Sequence, residues 1–335
     1  MRAWEIVSGG GVDALALNTR DATAPGPGQV QVSLRASSIN YRDLTTVEDP
    51  IGRKLPLPTI PNSDGAGVVT AVGDDVTEFA VGDRVMSTFF EDWDAGPVTT
   101  YAMSTALGGA RQGVLAEQFV LDARGVIAIP DYMSFAEAAT LPCAALTAWH
   151  ALTQPHPVVA GDTVLLLGTG GVSVFAQQFC NVMGARSIVT SSSDAKLERM
   201  RALGAGETIN YAETPDWETE VLNRCAGGVD RVVEVGGPGT LAKSIQAAKV
   251  GGVVALIGIL TGAAGTVTPT DIMRKSITLR GIYVGPRQMF REMNAALALH
   301  EIRPVIDETF RFEDAPDAYR AMRAAQHFGK LVIEV

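Results

Sequence analysis

Val164-Leu165-Leu166-Leu167-Gly168-Thr169-Gly170-Gly171-Val172-Ser173 runs from four apolar residues through a glycine-rich turn into a segment of helical pattern. A short apolar run bounded by turn formers reads as a strand buried on both faces. The spacing G-x-G-x-x-S, placed between a strand and a helix, is the context in which such a turn holds the pyrophosphate of a dinucleotide. Gly168 permits the tight turn, and Gly170 lets the backbone approach the phosphates. Gly171 and Val172 then open a helix whose free N–H groups and dipole favour negative charge. Ser173 stands where a third glycine is common and is small enough for helix and strand to pack closely. A glycine-rich turn without a ligand is the competing reading.

Outward from this turn, continuous apolar strands alternate with helices. Val164–Leu167, Ser187–Thr190, Thr208–Tyr211, Val229–Val235, Val253–Leu260 and Ile277–Val284 read as strands. Between them Val172–Met183, Asp194–Leu203, Trp217–Cys225 and Thr240–Ala248 read as helices. Such alternation predicts an α/β fold with a doubly wound parallel sheet of the Rossmann type. Residues before 130 read differently. Gln29–Ala36 alternates polar and apolar side chains, and Gly65–Val72 and Val81–Val85 are short strands with turn punctuation, which predicts a small β-barrel. Glu91–Gly113 reads as an irregular loop, and Phe135–Leu152 as helical apart from Pro142.

The end of the second strand of the parallel sheet selects the nucleotide. A carboxylate there would bind the adenosine ribose diol and repel a 2′-phosphate. This chain instead places Ser191, Ser192 and Ser193 there, with Lys196 beyond and Tyr211 after the next strand. Hydroxyls and a lysine suit a dianionic phosphate, so NADP(H) is favoured over NAD(H). Asp194 lies about where the competing carboxylate would stand; Ser193 and Asp194 are both candidate N-caps of the helix that follows, and Asp194 is assigned to that capping role.

Composition narrows the remaining classes. The 335 residues fit about two domains, and 47% hydrophobic content supplies their cores. With 27 Lys and Arg against 37 Asp and Glu the net charge is −10, which argues against a nucleic-acid partner. Cys143, Cys180 and Cys225 are odd in number and form no C-x-x-C pair, excluding a disulfide scaffold and an all-Cys zinc site. Thr163–Ala185 and Val250–Thr270 carry no charge, but both are interrupted by turn formers and read as strand–turn–helix and strand–loop rather than membrane spans. No secretory signal is visible at Met1–Gly10, and a cytoplasmic protein acting on a small molecule is expected.

The chain resembles the medium-chain dehydrogenase/reductase family, in its zinc-independent, quinone oxidoreductase-like branch. Ser38-Ile39-Asn40-Tyr41-Arg42-Asp43-Leu44, Pro61-Asn62-Ser63-Asp64-Gly65-Ala66-Gly67, Val81-Gly82-Asp83-Arg84-Val85, Ala138-Ala139-Thr140-Leu141-Pro142-Cys143, Leu203-Gly204-Ala205 and Gly329-Lys330-Leu331-Val332 carry the likeness in this order. The resemblance implies a chaperonin-10-like (GroES-like) β-barrel catalytic domain from residues 1–130 and 286–335. It implies a Rossmann NADP-binding domain from 131–285, an active site in the cleft between them, and a homodimer joined through the strand near Leu279–Val284. It also implies that Thr147, Gly258, Val284 and Lys330 belong to the cofactor site.

Metal-dependent relatives carry a Cys where Asn40 stands, a His where Ser63 stands and a second Cys at the position of Cys143. One remaining thiol cannot hold a catalytic zinc, which takes about three protein ligands, and no zinc is expected. Without a Lewis acid, an already electrophilic acceptor fits best: a quinone, or the β-carbon of an enone or enal. Hydrogen-bond donors are then wanted at the oxygen that gains charge. Asn40 and Tyr41, at the start of what reads as a loop, are the candidate catalytic residues; capping and core packing is their competing role. An NADP-dependent alcohol dehydrogenase or carbonyl reductase, and a low-turnover nucleotide-binding sensor, remain open alternatives.

Overall fold

The computed structural model describes all 335 residues. In chain order the strands are β1 (Arg2–Ile6), β2 (Leu15–Thr19), β3 (Gln29–Ile39), β4 (Asp64–Val72), β5 (Arg84–Ser87), β6 (Gln118–Asp122) and β7 (Val126–Ala128). They continue with β8 (Thr163–Leu167), β9 (Arg186–Ser191), β10 (Glu207–Asn210), β11 (Val229–Glu234), β12 (Ala248–Leu256) and β13 (Thr278–Gly281), then β14 (Ile306–Arg311) and β15 (Lys330–Glu334). Two compact units result: Met1–Leu146 with Val284–Val335, and Thr147–Tyr283. Residues 131–146, expected with the parallel sheet, therefore pack with the first unit.

The second unit is a six-stranded, all-parallel sheet in the order β10-β9-β8-β11-β12-β13. Every residue of β8 is buried, as four consecutive apolar residues at the centre of a covered sheet require. Leu165, Leu167, Ile188, Val232, Val254 and Trp217 share one core cluster. Burying a side chain of this kind is worth about 1.5–3 kcal/mol. This is the Rossmann arrangement, and the glycine-rich turn leaves its central strand. Arg231, on β11, is also buried: it donates to the carbonyls of Ala151, Gln154 and His156, and burial lowers its pKa to about 10.

The first unit is the GroES-like domain. Its main sheet runs β14-β15-β3-β4-β5-β7, with β6 also paired to β3, beside a β1–β2 hairpin. In β3, alternate burial over Gln29–Leu34 gives way to unbroken burial over Ala36–Ile39, where β4 and β15 flank it on both edges. Three local expectations change. Asn40 and Tyr41 do not begin a loop: they open the helix Tyr41–Glu48, where the Asn40 N–H donates to Asp43 Oδ2 at 2.9 Å. The stretch after Phe135 is not one helix, because a π-turn at Leu141–Ala145, carrying Pro142, separates Phe135–Ala138 from Leu146–Thr153. The stretch Glu91–Gly113, expected as an irregular loop, begins at an edge-on aromatic cluster of Phe89, Phe90 and its own Trp93 and contains a helical turn, Thr100–Met103.

Candidate functional site

In the parallel-sheet unit, Gly168 has φ +74° and donates its N–H to Thr190 O at 2.8 Å, closing the turn against β9. That φ favours glycine. Gly170 is the N-cap of the helix Gly171–Met183, and no side chain caps that helix. A Cβ built on Gly168 or Gly170 would meet nothing within 4 Å, so the turn faces open space. Ser173 is buried and donates to Leu167 O at 2.6 Å, which ties the helix back to β8. A helix N-terminus free of side-chain caps above an open glycine turn fits the pyrophosphate of a nicotinamide dinucleotide.

The residues expected at the adenosine end gather beside it. Ser191 ends β9, its hydroxyl accepts from Ser193 N, and its carbonyl accepts from Tyr211 N at 3.0 Å. Ser192 and Tyr211 are exposed and Lys196 is half-buried. Ser193, not Asp194, is the N-cap of the helix Asp194–Ala202, its hydroxyl accepting from Lys196 N. Asp194 instead accepts from Asn210 Nδ2 at 2.9 Å. The helix start thus takes the serine hydroxyl because the aspartate is held by the neighbouring strand. Thr147 is buried in the helix Leu146–Thr153. Gly258 follows β12, where an added Cβ would sit 2.0 Å from Val235 O, so backbone alone fits there.

The GroES-like unit holds the second cluster. Lys330, the first residue of β15, is buried and donates to Ile39 O at 2.8 Å and to Asn40 Oδ1 at 2.6 Å. Burial lowers its pKa, against the opposing pull of Asp64, Cys143 and Asp43. Asn40 is only 7% exposed, and its Nδ2, on the side of the Asp64 carboxylate, makes no hydrogen bond of good geometry. Asp64 is fully buried, accepts from Ser63 Oγ at 2.6 Å and Cys143 N at 3.1 Å, and burial pushes its carboxyl up to about 6. The π-turn is what carries the Cys143 N–H to that carboxylate. Tyr41 is exposed on the first turn of its helix, and Val284 is buried with φ +52°. Arg42 pairs with Asp43 at 3.1 Å and stacks on Phe89, a structural role.

Sequence reading found Asn40 and Lys330 but missed that they touch, and passed over Asp64. The signal for Asp64 was a charged residue opening a strand otherwise built of small and apolar ones.

This donor set does not fit a catalytic zinc. At the three positions where metal-dependent relatives have ligands, the Asn40 oxygen is taken by an ammonium and Ser63 donates to Asp64. Cys143 is held as a thiol, its pKa pushed up by burial and by Asp64. No group of three or more His, Cys, Asp or Glu side chains is arranged so that it could hold a metal ion. No helix is long and apolar enough to cross a membrane.

Comparison with known proteins agrees with this architecture. The family model for alcohol dehydrogenase GroES-like domains matches residues 26–131, and that for zinc-binding dehydrogenases matches 171–299. A zinc-type alcohol dehydrogenase-like protein of Schizosaccharomyces pombe is 43% identical over 92% of this chain and 91% of its own. A 2-methylene-furan-3-one reductase of Solanum lycopersicum is 32% identical over 99% and 79%. Among solved structures, an NAD-dependent alcohol dehydrogenase superposes with a TM-score of 0.91 at 32% identity, covering 100% of both chains. A Pseudomonas syringae quinone oxidoreductase gives 0.82 at 28%, covering 100% and 99%. An uncapped glycine turn on a parallel sheet, a GroES-like partner unit and relatives matched along nearly the whole length lead to one conclusion: the chain belongs to the medium-chain dehydrogenase/reductase family, as a quinone oxidoreductase-like oxidoreductase.

Proposed function

We propose that the protein is an NADPH-dependent, zinc-independent reductase of quinones or α,β-unsaturated carbonyls. The observation that carries this reading is the Asn40–Lys330 pair, which puts a buried amide donor without a well-formed hydrogen bond where metal-dependent relatives keep a zinc ligand. When bound, the nicotinamide supplies the hydride. Gly168, Gly170, Gly171 and Val172 hold the pyrophosphate; Ser191, Ser192, Ser193, Lys196 and Tyr211 take the 2′-phosphate; Thr147, Gly258 and Val284 complete the cofactor set. Asn40 Nδ2 and the Tyr41 hydroxyl donate to the substrate oxygen as it gains negative charge. A donor preorganised in a dry site is worth about 3–4 kcal/mol in such a step. An enone or quinone needs no stronger electrophilic help, because its acceptor atom is already conjugated to the carbonyl.

The enzyme acts as a cytoplasmic homodimer on this reading. β13 is the edge strand of the parallel sheet, bonded on one side to β12, and the segment Leu279–Val284 would pair with the same segment of a second copy. The test is oxidation of NADPH and of NADH against a panel of quinones, enones, enals and simple aldehydes, with K196A beside the wild type. Turnover confined to quinones or enones is expected. NADPH should be preferred at least about tenfold, or 1.4 kcal/mol, and the preference should collapse in K196A. Turnover of saturated aldehydes alone, or equal use of the two cofactors, would overturn the reading and favour a dehydrogenase such as the NAD-dependent structural relative.

A further inference from the structure

We propose that Lys330 is a positioning residue that acts through Asn40, setting the direction and the strength of its amide donor, and does not itself touch the cofactor. The inference rests on the assignment of Asn40 as the donor to the reacting oxygen.

Three observations converge. First, a side-chain amide has two chemically similar ends, and nothing in an isolated asparagine fixes which one faces a ligand. Here the Lys330 ammonium, a donor with no acceptor capacity, lies 2.6 Å from one end and settles that this end is oxygen. Nδ2 then points the other way, on the side of the Asp64 carboxylate, and makes no hydrogen bond of good geometry although the residue is buried. An orphaned donor of this kind costs about 1–3 kcal/mol in desolvation, a cost retained in folded proteins chiefly where a ligand completes the bond.

Second, the Lys330 ammonium is committed elsewhere. It also donates to Ile39 O, the last residue of β3, so the β15–β3 pairing and the lysine together fix the backbone from which Asn40 projects. Third, the arrangement changes the donor as well as aiming it. A cation at the amide oxygen draws electron density along the O–C–N system, so Nδ2–H becomes a better donor, as in cooperative hydrogen-bond chains. Asp64 and Asp43 supply the negative charge that keeps the buried ammonium tolerable, while the Asn40 N–H is separately pinned by Asp43 Oδ2. The cluster is therefore a charge-balanced mount for one amide.

The experiment is a double-mutant cycle of K330M and N40A, read as NADPH dissociation constant by fluorescence quenching and as kcat on the best substrate. N40D accompanies it, and the side-chain amide resonances of Asn40 are identified by their absence from the N40D spectrum. K330M is expected to lower kcat about 10- to 100-fold, leave the NADPH constant within about twofold, and move the Asn40 amide resonances. The double variant should be no slower than N40A alone, because removing the mount of an absent donor changes nothing. K330R, which keeps the charge, should recover part of the rate. Additive losses, or a large rise in the NADPH constant for K330M, would overturn the proposal. If K330M does not fold, N40D decides the matter: it keeps an oxygen facing Lys330 and removes the donor, so retained kcat would refute the assignment. Should the wild type turn over none of the panel, the functional reading fails, while the amide resonances still report whether Lys330 orients Asn40.

Discussion

Gly170→Ala separates binding from folding, because the glycine is needed by the ligand and not by the chain. Its φ is −79°, an ordinary value for any residue, and a Cβ there would meet no protein atom within 4 Å. Reduced freedom of the unfolded chain stabilises such a substitution by about 0.4–1 kcal/mol, while alanine is a poorer N-cap than glycine by a similar amount. The two nearly cancel, so the melting temperature should stay within about 3 °C of wild type. Binding should not survive as well. The methyl group occupies the space through which phosphate oxygens would reach the N–H groups of the Gly171–Met183 helix. Losing one or two charge-assisted bonds at about 1.5–3 kcal/mol each raises the NADPH dissociation constant roughly 10- to 10,000-fold. Differential scanning fluorimetry and NADPH fluorescence titration measure both quantities on one preparation. Gly168→Ala is the control, since its φ of +74° costs alanine about 1–2 kcal/mol without any overlap. An unchanged NADPH constant in Gly170→Ala, or a loss of stability as large as that of Gly168→Ala, would refute the placement of the phosphates.

Two further outcomes follow from the cluster in the GroES-like unit. Because burial lifts the Asp64 carboxyl from 3.8 to about 6, the folded state binds the extra proton between those values, and stability falls as pH rises through that window. The shift corresponds to about 3 kcal/mol, so Asp64→Asn should gain up to that much on wild type between pH 4 and pH 7 in urea titrations; parallel profiles would contradict it. Purified protein should carry less than about one zinc per several chains and keep its turnover in chelator, whereas stoichiometric zinc with chelator-sensitive activity would mean that another ligand set exists.

The parallel sheet was readable in the sequence because its signal is local: Val164–Leu167 is apolar throughout, and the glycine turn that follows leads straight into a helical pattern. Pairings that join distant residues were not readable. Nothing in Gly329-Lys330-Leu331 indicates that the lysine reaches Asn40, since that contact depends on β15 lying against β3, 290 positions away. The helix Tyr41–Glu48 escaped for a different reason. Tyr, Thr and Val are weak helix formers, and the segment is held by the Asp43 cap and by packing of Leu44 and Val47 into a core shared with Phe312 and Tyr319. Asp194 was misassigned as a cap because its competitor for that role, Ser193, is adjacent, and the bond from Asn210 that decides between them comes from another strand.

The interruption of the GroES-like unit bears on how the protein is made. Its sheet draws β3 from near the start of the chain and β15 from its last residues, and β15 lies inside the sheet between β14 and β3 rather than at an edge. A nascent chain emerging at about 5–20 residues per second therefore exposes one flank of β3 over Ala36–Ile39, beyond the part that β6 covers, for the whole time that Thr147–Tyr283 is being synthesised. The contiguous unit can collapse on the ribosome as soon as β13 has cleared the exit tunnel, whereas the unit begun first is closed last. That order leaves an open strand edge seeking a partner for tens of seconds, and Lys330 arrives only with the strand that seals it.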